Sequence, residues 1–359
     1  MRVLVAMSGG VDSSVAAARL LRDGHEVVGA TLHLWDYPDE GQKGSHGRCC
    51  APEDQYDARR VADALGFPHY TFDRRELFLE TVVEPFVDAY LRGETPSPCT
   101  SCNRGVKLGE LFAIADRLGC AKVATGHYAR ILLDEGGLSV LATGRDETKD
   151  QSYFLYATAQ ERLARLVFPL GESGKAEVRA EAVALALPGA TKGESQELCF
   201  VGEGSGAYAS FVEERAKGRL RPGPIVDADG RTVGMHAGIH RFTVGQRKGL
   251  GVSLGDPAYV AAIDPESATV RLGSETALLA RGARLDDVHL ASGVALPRAA
   301  RIRVRYRHGG AAGTIARDPI GVRVDFDAPT RAVARGQIAV FYEGDRVLGG
   351  GRIAEALGN

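Results

Sequence analysis

The chain has 359 residues, 44% of them hydrophobic and 25% charged, and a formal net charge of −2. This length predicts two or three domains, and the composition is that of a soluble globular protein, which excludes a disordered or fibrous chain. No apolar run approaches the roughly 18 residues that cross a bilayer, so we expect a cytoplasmic protein with no membrane contact. The small net charge excludes a protein that coats nucleic acid over its whole surface. We also expect the protein to be a monomer.

Apolar runs alternate with amphipathic stretches through the first two hundred residues. This alternation predicts an α/β fold, with a doubly wound parallel sheet covered by helices. The predicted strands are residues 2–7, 25–33, 68–73 and 122–125. The predicted helices are residues 13–21, 54–65, 76–91 and 107–118. The Pro-rich stretch at residues 95–98 breaks the helical pattern and begins a loop.

The pattern changes after about Phe200, where glycines become frequent. Further along, strict alternation in residues 301–308, 321–327 and 337–342 predicts the short strands of a small closed β-barrel. We therefore divide the chain into three predicted domains. They are a parallel-sheet domain at 1–201, a small α+β central domain at 202–275 and a C-terminal β-barrel at 276–359.

The first predicted strand runs into the segment Ser-Gly-Gly-Val-Asp-Ser-Ser at residues 8–14, and a helix follows. Backbone N–H groups and hydroxyls at the positive end of a helix form a cup for phosphate, which glycines let the backbone approach closely. The lysine of the common Gly-x-x-x-x-Gly-Lys-Ser/Thr loop is absent. The alternative is a tight turn capped by Ser or Asp.

Ligands of parallel sheets gather at the carboxyl ends of strands, so we expect Ser8 and His127 to share one crevice.

Two of the six cysteines stand in recognisable motifs. Cys102 follows Thr-Pro-Ser-Pro-Cys-Thr-Ser at residues 95–101, and Cys199 follows Glu-Ser-Gln-Glu-Leu at residues 194–198. The loop at residues 8–14 resembles that of the PP-loop ATP pyrophosphatases, and the cysteine motifs resemble those of the bacterial tRNA-uridine 2-sulfurtransferases (2-thiouridylases). The resemblance covers essentially the full chain. It includes the segments at residues 49–54, 125–130, 149–155 and 243–250.

This resemblance implies a transferase that uses ATP to adenylate the C2 oxygen of the wobble uridine in tRNAs for glutamate, lysine and glutamine. Sulfur then replaces that oxygen. Cys199 would carry a persulfide, while Cys102 would help release its sulfur and end in a disulfide with Cys199, or would liberate hydrogen sulfide for the attack. Either route needs a thiolate, hence a pKa below the value of about 8.5 for free cysteine. A cysteine desulfurase or a relay protein would donate the sulfur.

The resemblance also implies ATP and Mg²⁺ as co-reactants, with Asp12 helping to hold the metal. His127 would orient the adenylated intermediate or act as an acid, and a purely structural histidine is the alternative. Leu32 would line the adenine pocket or is an ordinary core leucine. The residues implied in nucleotide binding are Ala6, Met7, Ser8, Gly9, Gly10, Val11, Asp12, Ser13, Leu32 and Gly126.

Cys99 departs from the family pattern, in which many members carry aspartate at this position. A mechanism that relies on that carboxylate is therefore in doubt. Cys99, Cys102 and Cys199 together would suit three corners of a [4Fe–4S] cluster with one open iron, which is the mechanistic alternative. Cys99 is otherwise a non-catalytic or disulfide-resolving thiol. Among the remaining cysteines, Cys120 reads as a core residue, while the roles of Cys49 and Cys50 stay open between structure and function.

The resemblance implies several contacts with tRNA. The implied residues are Ser97, Pro98 and Cys99 beside the target base, then Lys149, Asp150 and Gln151, and finally Arg305, Tyr306 and Gln337. Independently, the alternation in residues 301–308 would place four arginines on one strand face, in a stripe roughly 20 Å long that suits a phosphate backbone. A solvated outer face of the barrel is the alternative.

Two other function classes compete with thiolation. A PP-loop ligase that adenylates a small acid would need the loop but not the pair Cys102 and Cys199. A Cys-x-x-Cys redox protein or a non-catalytic RNA chaperone would leave the nucleotide loop unexplained.

Overall fold

The computed structural model describes residues 1–36, 52–193, 198–202, 204, 206–252 and 255–358. The chain forms two compact units. The first contains Met1–Val83, Cys99–Glu203 and Asp345–Val347, and the second contains Glu84–Pro98, Gly204–Gly344 and Leu348–Asn359. Within the described ranges, no helix is long and apolar enough to cross a membrane.

The α-helices of the described residues lie in the first 215 positions. They are α1 (Val11–Arg22), α2 (Pro52–Leu65), α3 (Arg75–Phe78), α4 (Glu84–Leu91), α5 (Pro98–Ser101), α6 (Leu108–Arg117), α7 (Gln160–Leu163), α8 (Lys175–Ala184) and α9 (Ala207–Arg215). Two π-helical turns, Leu79–Val83 and Cys102–Lys107, join α3 to α4 and α5 to α6. Short 3₁₀ helices are Ser152–Leu155, Ile239–Arg241 and Glu275–Leu278.

The strands fall into a parallel sheet, a hairpin, a small mixed sheet and a barrel. Those of the first unit are β1 (Arg2–Ala6), β2 (Glu26–His33), β3 (His69–Asp73), β4 (Lys122–Ala124), β5 (Ala129–Leu133), β6 (Ser139–Thr143) and β7 (Leu166–Val167). The others are β8 (Gly223–Val226), β9 (Thr232–His236), β10 (Tyr259–Asp264), β11 (Thr269–Gly273), β12 (Leu279–Leu290), β13 (Arg298–Arg303), β14 (Ala311–Asp318), β15 (Gly321–Arg331), β16 (Ile338–Glu343) and β17 (Arg346–Leu357).

The first unit is built on a five-stranded parallel sheet in the order β3-β2-β1-β4-β7. The central strands β1 and β2 are almost wholly buried and apolar, as expected for strands covered by helices on both faces. The strand order reverses between β1 and β4. The carboxyl ends of these two strands therefore border the crevice in which doubly wound sheets bind ligands.

Helix α1 is held against α8 mainly by Arg19, and Arg22 adds a longer contact with Glu181 at 3.3 Å. Arg19 donates from Nε and Nη2 to the Glu181 carboxylate at 2.9 and 2.6 Å, and from Nη1 to the Pro169 carbonyl and the Ser173 hydroxyl at 2.8 Å each. Small side chains on α1, such as Ala16 and Ala17, are fully buried and let the helix pack closely. The start of α1 is thus fixed on a rigid scaffold.

A hairpin of β5 and β6 extends the first unit. Three residues from late in the chain belong to it, because Arg346 pairs with Ala142 and the Thr143 N–H donates to the Asp345 carbonyl. The Arg130 guanidinium adds an ion pair with Asp345 at 2.6 Å. Nothing in the sequence pattern predicted this hairpin.

The second unit contains a four-stranded mixed sheet and a closed barrel. The sheet has the order β10-β11-β8-β9. The barrel has six strands in the order β12-β15-β14-β13-β16-β17, and pairing of β12 with β17 closes it. Each has its own apolar core, built around residues such as Val260 and Val270 in the sheet and Leu285 and Phe341 in the barrel. The predicted fold class is confirmed.

One predicted strand is wrong in its extent. Strand β13 ends at Arg303 rather than at residue 308, and a turn follows in which the His308 N–H donates to the Arg305 carbonyl at 3.0 Å. Arg301 and Arg303 place their guanidinium groups 5.4 and 5.6 Å from the centre of the buried Tyr342 ring. The stripe of four arginines on one strand face therefore does not form.

Closure of the barrel can be tested with two leucines on the same strand. Leu285 is 0% exposed at a point where β12 pairs with both β15 and β17, whereas Leu290 is 37% exposed. We expect Leu285→Ala to lower the free energy of unfolding by about 2–5 kcal/mol, because it removes buried contacts and leaves a cavity. Leu290→Ala, the matched control, should change it by about 0.5 kcal/mol at most. Urea unfolding that shows equal losses would contradict this account of the barrel.

Candidate functional site

The segment between β1 and α1 is a tight loop that organises itself. The hydroxyls of Ser13 and Ser14 both donate to the Gly10 carbonyl at 3.0 Å, and the Ser8 N–H donates to the Ser13 hydroxyl at 3.2 Å. Gly9 has φ +72°, and a Cβ there would overlap the Asp54 carbonyl. Only glycine fits this position. The loop thus presents the backbone N–H end of α1 without bulky side chains.

The end of β4 lies directly against this loop. A Cβ on Gly126 would sit 2.9 Å from the Asp12 carbonyl carbon and 2.9 Å from the Ser13 nitrogen. The structure therefore brings Gly126 and the loop at residues 8–14 together at the point where the strand order reverses. Ala6 is half-buried while Met7, Val11 and Leu32 are buried in the same unit.

Asp12 is held by two side chains that are not among the predicted site residues. The Lys175 ammonium donates to both carboxylate oxygens at 2.7 Å, and the Tyr128 hydroxyl donates to one of them at 2.9 Å. Lys175 also lies 5.6 Å from the centre of the buried Tyr128 ring. Tyr128 belongs to the motif at residues 125–130, but a single lysine 163 positions away from Asp12 gives no sequence signal.

A second lysine lies beside the loop. Lys192 donates to the Asp54 carboxylate at 3.0 Å and forms an ion pair with Asp57. Burial raises the pKa of Asp54, and the neighbouring Lys192 charge only partly offsets this. Since the Asp54 carbonyl is the group that closes over Gly9, these contacts connect α2, the loop and the segment that leads towards Cys199.

His127 is held in a defined orientation. Its Nδ1 lies 2.8 Å from the Thr125 hydroxyl, and its ring packs edge-on against Phe168. Burial, together with the charge of Lys107, lowers the pKa of His127 to about 3. The imidazole is therefore neutral at pH 7, which suits an orienting role better than a role as an acid.

The three cysteines of the predicted site differ in exposure. Cys99 is exposed, Cys102 is buried and Cys199 is half-buried. Pro98 opens a continuous helical run that ends at Arg117, so Cys99 and Cys102 lie in its first turns. Pro is favoured at this first helical position.

A metal cluster on these cysteines receives no support. Across the described ranges, no group of three His, Cys, Asp or Glu side chains is arranged to hold a metal ion. Cys99, Cys102 and Cys199 all lie in those ranges, so the structure offers no evidence for a [4Fe–4S] cluster on them. Cys120 is buried, and burial raises the pKa of its thiol, in keeping with a core residue. Cys49 and Cys50 lie outside the described residues.

The segment at residues 149–151 has a structural task of its own. The Asp150 carboxylate is buried and accepts from the N–H groups of Gly144 and Ser152 at 3.1 and 3.0 Å. Gln151 pairs with the backbone of Tyr128, accepting from its N–H through Oε1 and donating its own N–H to the carbonyl. Asp150 thus faces the protein backbone, whereas Lys149 is half-buried at the surface.

The other predicted tRNA contacts belong to the second unit, apart from Cys99. Ser97 is half-buried and Pro98 is buried. Arg305 is exposed, while Tyr306 and Gln337 are half-buried. The Arg303 guanidinium lies 5.9 Å from the centre of the Tyr306 ring and donates to its carbonyl, so the turn after β13 is fixed.

Comparison with known proteins gives consistent results. The family model described as tRNA methyl transferase HUP domain matches residues 1–203. A tRNA methyl transferase PRC-barrel domain matches residues 209–274, and an aminomethyltransferase beta-barrel domain matches residues 280–353.

Curated relatives match nearly the whole chain. A tRNA-specific 2-thiouridylase MnmA from Sorangium cellulosum is 63% identical, over 99% of this chain and 93% of its own length. Proteins of the same name from Moorella thermoacetica and Solibacter usitatus are each 48% identical, over 98% of both chains. The resemblance predicted from the motifs is confirmed, and the chain belongs to the family of tRNA-specific 2-thiouridylases.

Proposed function

We propose that this protein uses ATP to adenylate the C2 oxygen of the wobble uridine in tRNAs for glutamate, lysine and glutamine, and replaces that oxygen with sulfur. The observation that carries the proposal is the glycine-containing loop at residues 8–14, which lies against Gly126 and whose Asp12 is paired with the Lys175 ammonium. The relatives' name, tRNA-specific 2-thiouridylase, supports uridine thiolation as the outcome.

The nucleotide would bind with its phosphates at the start of α1. Mg²⁺ is commonly held by one or two carboxylates together with substrate phosphates and water. Asp12 supplies one such carboxylate. The residues therefore fit the metal once the Lys175 ammonium has released the Asp12 carboxylate. Lys175 is then available to neutralise phosphate charge. Leu32 is buried in β2 and is the proposed wall of the adenine pocket.

The reaction takes two stages. In the first, the uridine O2 bonds to the α-phosphorus of ATP and pyrophosphate leaves, which turns a poor leaving group into AMP. In the second, the outer sulfur of the Cys199 persulfide attacks C2 and AMP leaves. The Cys102 thiolate then attacks Sγ of Cys199, which releases 2-thiouridine and forms a Cys102–Cys199 disulfide that a cellular thiol reduces. His127 would orient the adenylated base.

Outside this centre, the chain is proposed to have three domains, at residues 1–201, 202–275 and 276–359. The last would bind tRNA through Arg305, Tyr306 and Gln337, and Ser97 to Cys99 would meet the target base. A cysteine desulfurase or relay protein would load Cys199. The exposure of Cys99 suits a thiol that resolves disulfides, because an incoming donor could reach it.

The cysteine roles can be tested by substitution in the full chain. We expect Cys199→Ser and Cys102→Ser to lower the thiolation rate of a wobble-uridine tRNA by at least about 100-fold, since each removes a sulfur that makes or breaks a bond. Cys99→Ser should retain activity with a strong external reductant. The buried Cys120→Ser is the matched control. Mass spectrometry of the nucleosides measures 2-thiouridine, and full activity of Cys199→Ser, or a methylated base as product, would sink the proposal.

Lys175 can be tested separately from the sulfur chemistry. Charge-assisted bonds contribute about 1.5–3 kcal/mol, so Lys175→Gln should lower tRNA-dependent ATP–pyrophosphate exchange by about 10- to 100-fold. The control is Lys122→Gln in the same unit, whose ammonium donates to the Ala164 carbonyl. Equal exchange rates for the two variants would remove Lys175 from the nucleotide site.

The protonation state of His127 makes a third test. Because its pKa is lowered from 6.5 to about 3, the imidazole NMR signal that disappears in His127→Gln should not titrate between pH 5 and pH 8. The unfolded chain binds this proton and the folded chain does not, so the stabilisation is complete above pH 6.5 and is lost as pH falls towards 3. Urea unfolding should show a weaker loss of stability on acidification in His127→Gln. A midpoint near pH 6.5 would restore the acid role.

A further inference from the structure

A buried carboxylate in the second unit is surrounded by arginines. The side chain of Glu94 is only 3% exposed. Its Oε2 lies 3.3 Å from Arg92 and 3.4 Å from Arg352, and its Oε1 lies 3.3 Å from Arg335. Arg352 also forms a two-point ion pair with Asp286 at 2.9 and 2.6 Å. The nucleotide site and the cysteines do not use this cluster.

The backbone around Glu94 connects two segments. The Glu94 N–H donates to the Ala89 carbonyl at the end of α4, and the Thr95 N–H donates to the Arg335 carbonyl at 2.8 Å. Gly336, with φ +89°, lets the chains touch, because a Cβ there would sit 2.9 Å from the Glu94 Cβ and 3.0 Å from the Thr95 nitrogen. The loop that begins at Thr95 is therefore fastened to the turn Arg335-Gly336-Gln337.

The turn is itself fixed to the barrel strand β17. The Gly336 N–H donates to the Ile353 carbonyl, and the Ile353 N–H donates to the Gln337 carbonyl, both at 2.8 Å. Arg352, the residue before Ile353 in that strand, reaches Glu94. Displacing Glu94 would thus disturb the turn and the start of the loop together.

The cluster also exposes positive charge. Arg92 and Arg335 are 53% and 54% exposed, and Arg352 is 38% exposed, although the carboxylate that they share is buried. Three guanidinium groups against the two carboxylates of Glu94 and Asp286 leave one net positive charge. Guanidinium groups suit the phosphates of a nucleic-acid backbone, and the turn carries Gln337, a proposed tRNA contact.

We infer that Glu94 is a positioning residue that couples tRNA bound at the turn Arg335-Gly336-Gln337 to the loop Thr95–Pro98, which leads in sequence to Cys99 and Cys102. The inference rests on the proposed thiolation. Arg335 contacts the tRNA backbone, and Glu94 holds Arg335 and the loop in fixed positions relative to each other. The bound tRNA and the loop that meets the target base are thereby held in a fixed relative position.

Charge and position predict different thiolation rates for Glu94→Gln, which keeps the shape of the side chain. Removing a carboxylate beside three arginines makes the surface more positive, so simple electrostatics predicts equal or tighter tRNA binding and an unchanged rate. The positioning role predicts that the single-turnover thiolation rate at saturating tRNA falls by about 10-fold or more, while the tRNA dissociation constant does not rise. An unfolding effect alone would change the melting temperature and lower the active fraction, but not the rate per active site.

The experiment uses the full chain and measures tRNA binding, single-turnover thiolation and thermal melting. Glu343→Gln is the matched control, because Glu343 is paired with Arg298 on the barrel surface and should leave all three unchanged. Arg335→Gln should weaken tRNA binding. The double variant should react no more slowly than the slower single variant, since the two residues act through one contact.

If Glu94→Gln does not fold, Arg335→Lys replaces it, because lysine keeps the charge but loses the fork that reaches both carboxylate and phosphate. It should lower the saturated rate and keep most of the tRNA affinity. A wild-type rate in Glu94→Gln or in Arg335→Lys would overturn the inference while leaving the proposed function intact. Absence of 2-thiouridine with the wild-type protein would instead overturn the proposed function.

Discussion

An ion pair between Asp12 and Lys175 joins the start of α1 to the start of α8 at the proposed nucleotide site. A carboxylate is stabilised there by the positive end of the helix, and Lys175 and the Tyr128 hydroxyl occupy its oxygens. Three separate parts of the chain meet at this point, namely the loop after β1, the segment after β4 and the start of α8. Neither Gly9 nor Gly126 has room for a side chain, because a Cβ on Gly9 would overlap α2 and a Cβ on Gly126 would come too close to α1.

Much of this unit follows from the sequence for local reasons. Strand, glycine-containing loop and helix stand in consecutive order, so β1, the loop and α1 follow from periodicity and turn chemistry, and so does the parallel sheet. Lys175 does not follow, since its contact with Asp12 joins residues 163 positions apart and a lone lysine carries no pattern. The same holds for Lys192. Contacts of this kind depend on the packing of whole elements rather than on local preference.

The barrel shows a different limit of sequence patterns. Alternation continues past Arg303, because Ile302 and Val304 are both buried, yet the strand ends there. The Arg303 guanidinium packs on Tyr306 and donates to its carbonyl, which turns the chain, and the two arginines on the strand pack on Tyr342. A pattern of alternating charge cannot distinguish an arginine that meets solvent from one that packs on an aromatic ring. The sequence patterns predicted neither the hairpin of β5 and β6 nor the pairing of β6 with Arg346, which comes from late in the chain.

Charged groups in both units are already paired, but ligand binding would affect the two sets of pairs differently. In the proposed reaction, Asp12 would help to hold the metal once Lys175 releases its carboxylate, and the nucleotide phosphates would give Lys175 a new partner. The exchange leaves no half-buried charge without a counter-ion, so its cost is far below that of breaking the pair outright. Glu94 differs, because its carboxylate stays buried while its arginines already reach solvent. Phosphate can therefore bind the outer face of these arginines without displacing Glu94. This suits a residue that holds the turn and the loop in position, unlike Lys175, which would be released from its partner.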